Sequence, residues 1–182
     1  RAAINGGARV IQLRDKVREK GRLLPVALAL RDLCRQQGVI FIVNDHVDLA
    51  LTVGADGVHV GQKDLPVPIV RHLMPANRLV GNSTALVEEA LAAQAQGADY
   101  VAVGSIFPTA SKEKTRPAGL DTLRRARQVV SRPLVAIGGI KPDNVAQVVA
   151  AGADAVAVIT AVVSAPDVEA AAREIVQRMK GP

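Results

Sequence analysis

The chain has 182 residues, of which 49% are hydrophobic and 2% aromatic, and it carries a formal net charge of +6. This length suits a single domain, and its core must be built from Ala, Val, Ile and Leu. Too few aromatic side chains are present for single-strand nucleic-acid binding, so the positive charge better fits anionic small molecules. No apolar run is long enough for a membrane span and no signal-peptide pattern is seen, so we predict a cytoplasmic protein that binds neither nucleic acid nor membranes.

A recurring Gly-Ala-Asp word marks the junctions between predicted helices and strands, because glycine commonly ends a helix before a strand begins. The predicted strands lie near Arg9 to Leu13, Val39 to Val43, Gly57 to Val60, Leu79 to Gly81, Tyr100 to Val103, Leu134 to Ile137 and Ala155 to Ile159. The predicted helices lie near Arg18 to Gln37, His46 to Val53, Val67 to Met74, Leu86 to Gln96, Leu120 to Val130, Asp143 to Ala151 and Val168 to Met179. This alternation favours right-handed βαβ crossovers and a parallel α/β sheet.

Seven strands are one fewer than a closed TIM (β/α)8 barrel requires. The chain opens with RAAINGGA, which has the pattern of a helix end. We therefore predict that residues 1–182 form a single (β/α)8-barrel catalytic domain whose first βα unit, about twenty residues, is missing from this sequence. An open, doubly wound sheet is the alternative. In a barrel, Asp56, Asp99 and Asp154 would lie at the amino ends of strands, where residues serve stability.

Two predicted strands end at acidic residues that could share a metal ion. Asp45 follows the strand ending at Val43, and Asp64 follows the strand ending at Val60. If these strands are parallel neighbours, both carboxylates face the same space, and such oxygen ligands suit Mg²⁺ bound together with substrate phosphates. The alternative is that both aspartates cap the helices that follow them.

The first strand ends in alternating polar residues. Gln12, Arg14 and Lys16 share one face of an extended segment, while Ile11 and Leu13 point the other way. Arginine offers a bidentate fork and lysine a compact charge, a combination suited to pyrophosphate. A solvated strand tip is the simpler alternative.

Two later regions are candidates for holding a second phosphate. The long polar segment Ser105 to Gly119 resembles a lid and contains Thr109, Ser111 and Lys112. The alternative interpretation is that this segment is a disordered surface loop, above all at Lys114 and Arg116. Gly138-Gly139-Ile140 and Ile159-Thr160 follow the last two strands, where barrels frequently bind phosphate, although a glycine pair also suits any tight turn.

The three histidines predict no catalytic centre of their own. His59 lies in an apolar strand and is interpreted as a packed core residue, while His46 and His72 fall on helices. Neither a Ser-His-Asp arrangement nor zinc-ligand spacing is present, which disfavours covalent and zinc chemistry.

Taken together, these motifs resemble the thiamine phosphate synthase family over essentially the whole chain. The matching words are QLRDK (Gln12 to Lys16), ND (Asn44 and Asp45), GADGVHVGQKDLP (Gly54 to Pro66), GNST (Gly81 to Thr84), GSIFPTASK (Gly104 to Lys112), AIGGI (Ala136 to Ile140) and VIT (Val158 to Thr160). Two positions depart from the expected pattern, since Ser111 stands where we expect Thr and Thr160 where we expect Ser. Both changes keep a hydroxyl group.

The resemblance implies a TIM-barrel transferase that joins hydroxymethylpyrimidine diphosphate to thiazole phosphate, gives thiamine phosphate and releases pyrophosphate by a dissociative mechanism. It implies Mg²⁺ as cofactor, held by Asp45 and Asp64, and Arg14, Lys16, Ser83 and Lys112 as catalytic residues. The implied substrate-binding residues are Gln12, Leu13, Arg14, Asp15, Lys16, Asn44, Ser83, Thr109, Ala110, Ser111, Lys112, Gly139, Ile159 and Thr160. Its partners would be phosphorylated small molecules, and the sequence leaves a homo-oligomer open.

Two rival functions remain at this stage. A thiazole tautomerase shares the scaffold, but it carries a Gly-His word before the lid where this chain has Gly104-Ser105. A non-catalytic phosphate-binding module would keep the anion pocket without needing both Asp45 and Asp64.

Overall fold

The computed structural model describes residues 1–109 and 116–181, in which seven parallel strands alternate with helices. The strands are β1 (Val10–Leu13), β2 (Ile40–Asn44), β3 (Gly57–Val60), β4 (Leu79–Thr84), β5 (Tyr100–Val103), β6 (Leu134–Ile137) and β7 (Ala155–Ala157). The helices are α1 (Ala2–Asn5), α2 (Lys20–Gln37), α3 (Val47–Val53), α4 (Val67–Leu73), α5 (Val87–Ala95), α6 (Gly119–Val129), α7 (Val145–Ala150), α8 (Thr160–Val163) and α9 (Val168–Met179). No helix in these two ranges is both long and apolar enough to cross a membrane.

The strands are arranged in the sheet in the same order as in the sequence, β1 to β7. A doubly wound sheet reverses its strand order at a switch point, so that alternative is wrong. A sheet that always adds strands in one direction, with a helix after nearly every strand, has the winding of a (β/α) barrel, which confirms the predicted TIM-type α/β class. Within the described residues β1 and β7 do not pair with each other, so they are the two edges of the sheet.

Two strand ends differ from the prediction by more than one residue. β4 continues to Thr84 because Ser83 and Thr84 pair with Ala102 and Val103 of β5, although their polar side chains suggested a loop. β7 ends at Ala157, two residues earlier than predicted, and α8 begins at Thr160. In the described sheet β7 pairs only with β6, so ladder hydrogen bonds support it from one side.

The core is aliphatic, as the composition predicted. Phe41 is fully buried and belongs to one core cluster with strand residues such as Val43, Val58, Val80 and Val101, each at most 1% exposed. Apolar runs of this kind suit parallel strands that are covered on both faces.

The aspartates of the Gly-Ala-Asp words join neighbouring strands at their amino ends. Each carboxylate accepts a hydrogen bond from a backbone amide of the preceding strand and pairs with an arginine. The amide contacts are Asp56 to Phe41 (2.9 Å), Asp99 to Val80 (2.7 Å) and Asp154 to Leu134 (2.7 Å). The ion pairs are Asp56 to Arg78 (3.2 Å), Asp99 to Arg71 (2.8 Å) and Asp154 to Arg127 (2.8 Å). These contacts, called the aspartate clamps below, confirm the structural role predicted for the three aspartates.

Candidate active site at the carboxyl ends of the strands

A cavity of about 670 Å³ lies at the carboxyl ends of the strands. Its lining includes many of the predicted site residues, contributed by every strand end from β1 to β7. These are Arg14, Lys16, Asn44, Asp45, Asp64, Ser83, Thr109, Gly139, Ile159 and Thr160. The carboxyl ends of neighbouring parallel strands meet at one edge of the sheet, which is why residues so far apart in sequence share this cavity.

Other predicted site residues do not line the cavity or cannot be placed. Leu13 packs against the hydrophobic core, as expected from its alternation with Arg14. Gln12 is exposed on β1 and is not part of the lining. The Asp15 carboxylate accepts hydrogen bonds from the amides of Val17 (2.8 Å) and Arg18 (2.9 Å), so it binds the backbone of its own loop. These hydrogen bonds lower the pKa of Asp15. Ala110, Ser111 and Lys112 lie outside the described residues.

Asp45 is held at the cavity by an unusual backbone conformation and an ion pair. It has a positive φ of 62°, its amide donates to the carbonyl of His59 (2.8 Å), and its carboxylate accepts from Lys16 Nζ. The pair joins an acid after β2 to a cation after β1. The N-cap of α3 is His46, so the alternative in which Asp45 caps that helix is wrong.

Asp64 does not cap a helix either. Its Oδ2 accepts a hydrogen bond from the amide of Gly61 (2.7 Å), across the turn that follows β3, while the N-cap of α4 is Pro66. Two carboxylates thus face one cavity. Residues 1–109 and 116–181 contain no group of three or more His, Cys, Asp or Glu side chains that could bind a metal ion by itself.

Cationic side chains outnumber acidic ones in the described lining. The cations are Arg14, Lys16, Lys63, Arg116 and Lys141, and the acids are Asp45 and Asp64. A concave site with excess positive charge concentrates anionic ligands. The sequence interpretation did not assign Lys63 or Lys141 to the site, although Lys63 lies within the noted word GADGVHVGQKDLP and Lys141 directly follows AIGGI.

Arg116 is not part of an unattached surface loop. Its guanidinium donates to Glu89 Oε1 (2.7 Å), and its carbonyl accepts from the amide of Ser105 (3.0 Å). Burial by itself raises the pKa of Glu89, but hydrogen bonds from the amide of Ala85 and from Arg116 outweigh it, so the net pKa is lowered. Arg116 therefore lines the cavity from an anchored position.

Ser83 contacts His59, which stacks on Tyr100. His59 is 6% exposed, which confirms its predicted burial, yet its Nε2 lies 2.7 Å from Ser83 Oγ. Its Nδ1 lies 3.0 Å from the hydroxyl of Tyr100, a residue that the sequence interpretation did not consider for the site. The period of two along β3 places His59 on the same face as Gly57, and the sheet register sets it beside Asn44. The alternation of side chains along β3 was therefore the sequence signal that could have directed attention to His59.

The glycine pair after β6 packs tightly against the segment after β5. The amide of Phe107 donates to the carbonyl of Gly138 (3.0 Å), and Asn144 Nδ2 donates to the carbonyl of Gly139 (3.0 Å). Gly139 has a φ of +64°, and a Cβ there would lie 2.6 Å from the carbonyl oxygen of Pro108. Glycine at this position therefore lets the Gly139 backbone approach Phe107 and Pro108 closely.

Comparisons with known proteins agree on one family. The family model described as thiamine monophosphate synthase matches residues 1–162. The chain is 50% identical to the thiamine-phosphate synthase of Moorella thermoacetica, over 100% of this chain and 88% of that protein. It is 54% identical to the thiamine-phosphate synthase of Chloroflexus aurantiacus, over 96% of this chain and 81% of that protein.

A solved structure, the thiamine phosphate pyrophosphorylase from Pyrococcus furiosus, is also similar. It superposes with a TM-score of 0.92 at 40% identity, covering 98% of this chain and 86% of that chain. Both the sequence and the winding of the sheet are therefore those of pyrophosphate-releasing transferases. The chain belongs to the thiamine monophosphate synthase family.

Proposed function

We propose that this protein condenses hydroxymethylpyrimidine diphosphate with thiazole phosphate to give thiamine phosphate and pyrophosphate. The observation that carries the proposal is the convergence of Arg14, Lys16, Asp45, Asp64 and Ser83 on one cavity. This group combines cations and a hydroxyl for a diphosphate with two carboxylates for its metal ion. A non-catalytic phosphate-binding module would have no need of the paired carboxylates.

The diphosphate would bind on the side of the cavity formed by β1 to β4. Arg14 offers a bidentate fork, and Lys16 a point charge already held there by Asp45. Asn44 and Ser83 add an amide and a hydroxyl. Lys112, outside the described residues, is proposed to act with them.

The thiazole phosphate would bind on the opposite side. Thr109 and Gly139 line this wall together with Ile159 and Thr160. The close approach of Gly139 to the Pro108 carbonyl brings these two loops into contact. Two anionic substrates bound on opposite walls would leave the reacting carbon and nitrogen facing each other between them. Ala110 and Ser111 complete this proposed set outside the described residues.

The chemistry we propose is dissociative. The bond between the pyrimidine methylene carbon and the diphosphate oxygen breaks first, and the electron pair leaves with pyrophosphate. The thiazole nitrogen then donates its lone pair to the resulting cation and forms the new C–N bond. Arg14, Lys16 and Ser83 would stabilise the charge that develops on the leaving group, an electrostatic role that often dominates catalysis. No side chain acts as nucleophile.

The donor set fits Mg²⁺. Asp45 and Asp64 supply hard carboxylate oxygens at one cavity, and Mg²⁺ is usually held by one or two carboxylates together with substrate phosphates. When bound, the ion would neutralise charge on the diphosphate. Lys16 would contribute at the same place, because its ammonium group already pairs with Asp45.

The test is to incubate the purified protein with both phosphorylated precursors and Mg²⁺ and to measure thiamine phosphate and pyrophosphate. We expect equal amounts of the two products, and their loss in Asp45→Ala and Asp64→Ala without loss of the folded state. Full turnover in either variant, or in excess chelator, would contradict the metal assignment. Absence of both products from the parent protein would reject the proposed function.

A further inference from the structure

The Ser83 hydroxyl ends a row of three side chains in contact, of which the middle one, His59, is buried. Tyr100 contacts Nδ1 of His59 at 3.0 Å, and Nε2 of His59 contacts Ser83 Oγ at 2.7 Å. The two rings are stacked with centroids 5.5 Å apart. Of these three side chains, only that of Ser83 lines the cavity.

The Tyr100 hydroxyl bears on which ring nitrogen of His59 carries the proton. Burial of the hydroxyl and, second, the nearby Asp99 carboxylate raise the pKa of Tyr100, so the phenol keeps its proton. A neutral imidazole has one donor nitrogen and one acceptor nitrogen. If the Tyr100 O–H donates to Nδ1, the imidazole proton is on Nε2, and Nε2–H donates to Ser83 Oγ.

The surrounding residues position Tyr100 and Ser83 on either side of His59. Gly81 of β4 stands opposite Tyr100 of β5, and a Cβ at Gly81 would overlap the tyrosine ring. Glycine therefore provides the space in which the phenol reaches His59. On the other side, Gln62 Nε2 donates to the Ser83 carbonyl (2.8 Å) and holds the serine backbone.

We propose that Tyr100 and His59 are positioning residues that commit the Ser83 hydroxyl to donate its hydrogen bond into the cavity. In this arrangement Ser83 Oγ accepts from His59, so the serine proton is directed to another acceptor, and the diphosphate oxygens of the proposed reaction are the acceptors expected there. The same direction of hydrogen bonding prevents His59 from accepting the serine proton. Ser83 is thus a donor and not a nucleophile. This inference rests on the proposed function for the identity of the acceptor.

The first test is the protonation of His59, measured by long-range 1H–15N correlation of the imidazoles at neutral pH. The chain has three histidines, so the resonances missing from His59→Gln assign this ring. We expect a neutral ring protonated on Nε2, and loss of that preference in Tyr100→Phe, which keeps the ring over Gly81. A ring protonated on Nδ1, or on both nitrogens, would overturn the inference.

The second test asks whether His59 acts through Ser83, using the affinity for inorganic pyrophosphate at one fixed Mg²⁺ concentration. His59→Leu removes the donor, and His59→Gln keeps an N–H near the Nε2 position. We expect Ser83→Ala and His59→Leu each to weaken binding about tenfold, as for loss of one hydrogen bond to a charged group. We expect His59→Gln to stay within about threefold of the parent, because it retains a donor.

The double variant decides the question. If His59 acts only through Ser83, the Ser83→Ala/His59→Leu protein binds pyrophosphate no more weakly than Ser83→Ala alone. Multiplied effects, or a His59→Gln protein as weak as His59→Leu, would overturn the inference. If His59→Leu does not fold, Tyr100→Phe replaces it in the same cycle. Binding is measured without turnover, so failure to form thiamine phosphate would reject the proposed function and leave this result independent.

Discussion

Replacement of Gly139 by alanine tests the contact between the loops after β5 and β6. Gly139 has a φ of +64°, where a side chain costs about 1–2 kcal/mol. The added Cβ would also lie 2.6 Å from the Pro108 carbonyl oxygen and 2.8 Å from Phe107 Cβ. Ordinary van der Waals contact begins at 3.4 Å, so this segment must move by about 0.8 Å.

The chain offers a matched control in Gly54, the C-cap of α3. Its φ is +65°, nearly equal to that of Gly139, but nothing lies within 4 Å of the added Cβ. Both substitutions therefore carry the same backbone strain, and only Gly139→Ala adds the steric contact. Overpacking of this kind costs about 1–3 kcal/mol. We expect a melting temperature for Gly139→Ala about 2–12 °C below that of Gly54→Ala, since each kcal/mol shifts a domain of this size by about 2–4 °C.

Activity should separate the two variants further. Thr109 and Gly139 both line the cavity, and a misplacement of about 1 Å near reacting groups can lower rates about a hundredfold. We expect kcat/KM for thiazole phosphate to fall at least tenfold in Gly139→Ala and to stay unchanged in Gly54→Ala. Equal melting temperatures and equal turnover in the two variants would refute the reasoning.

Two predictions concern stability. Asp99→Ala leaves the buried Val80 amide and Arg71 without their carboxylate, and it should lower the free energy of unfolding by about 2–3 kcal/mol in urea titrations. The control Asp32→Ala removes an exposed pair with Arg31 and should change the free energy of unfolding by under about 0.5 kcal/mol. Equal losses in the two variants would show that the clamp adds nothing to stability. The pKa of Glu89 is lowered on folding, so the ionised Glu89 stabilises the folded protein at pH values above its ordinary pKa of 4.5. This stabilisation is lost as the pH falls through the pKa of the folded state. Glu89→Gln should therefore be less stable than the parent near neutral pH and approach it as the solution is acidified, and a difference that does not vary with pH would contradict the assignment.

Most of the fold could be predicted from the sequence because its signals are local. Apolar runs bounded by a Gly-Ala-Asp word and a polar tip define β3 and β5 at the predicted residues, and β6 also lies at the predicted residues. The polar residues at the end of β4 misled the prediction, since its last two residues are set by pairing with β5 rather than by their own side chains. Strand ends that depend on a neighbour are not encoded in the local pattern.

The candidate site was predictable to the extent that strand order determines which residues meet. Asp45 and Asp64 follow adjacent strands, and both were expected at one cavity. The link between His59 and Ser83 could not be predicted, because it depends on the register that pairs His59 with Gly81. Asp15 lies in the same motif as Arg14 and Lys16, yet two local amides bind its carboxylate, and sequence position alone does not reveal that competition.

The aspartate clamps have a consequence for how the chain assembles. Each clamp joins residues 15 to 28 positions apart, and each connects one strand to the strand immediately before it. Closing loops of this size costs little entropy compared with bringing together the ends of the chain. A nascent chain can therefore fasten its strands in pairs as it is synthesised, β2 with β3, β4 with β5 and β6 with β7. The opposite rim becomes complete only when the last strand has docked.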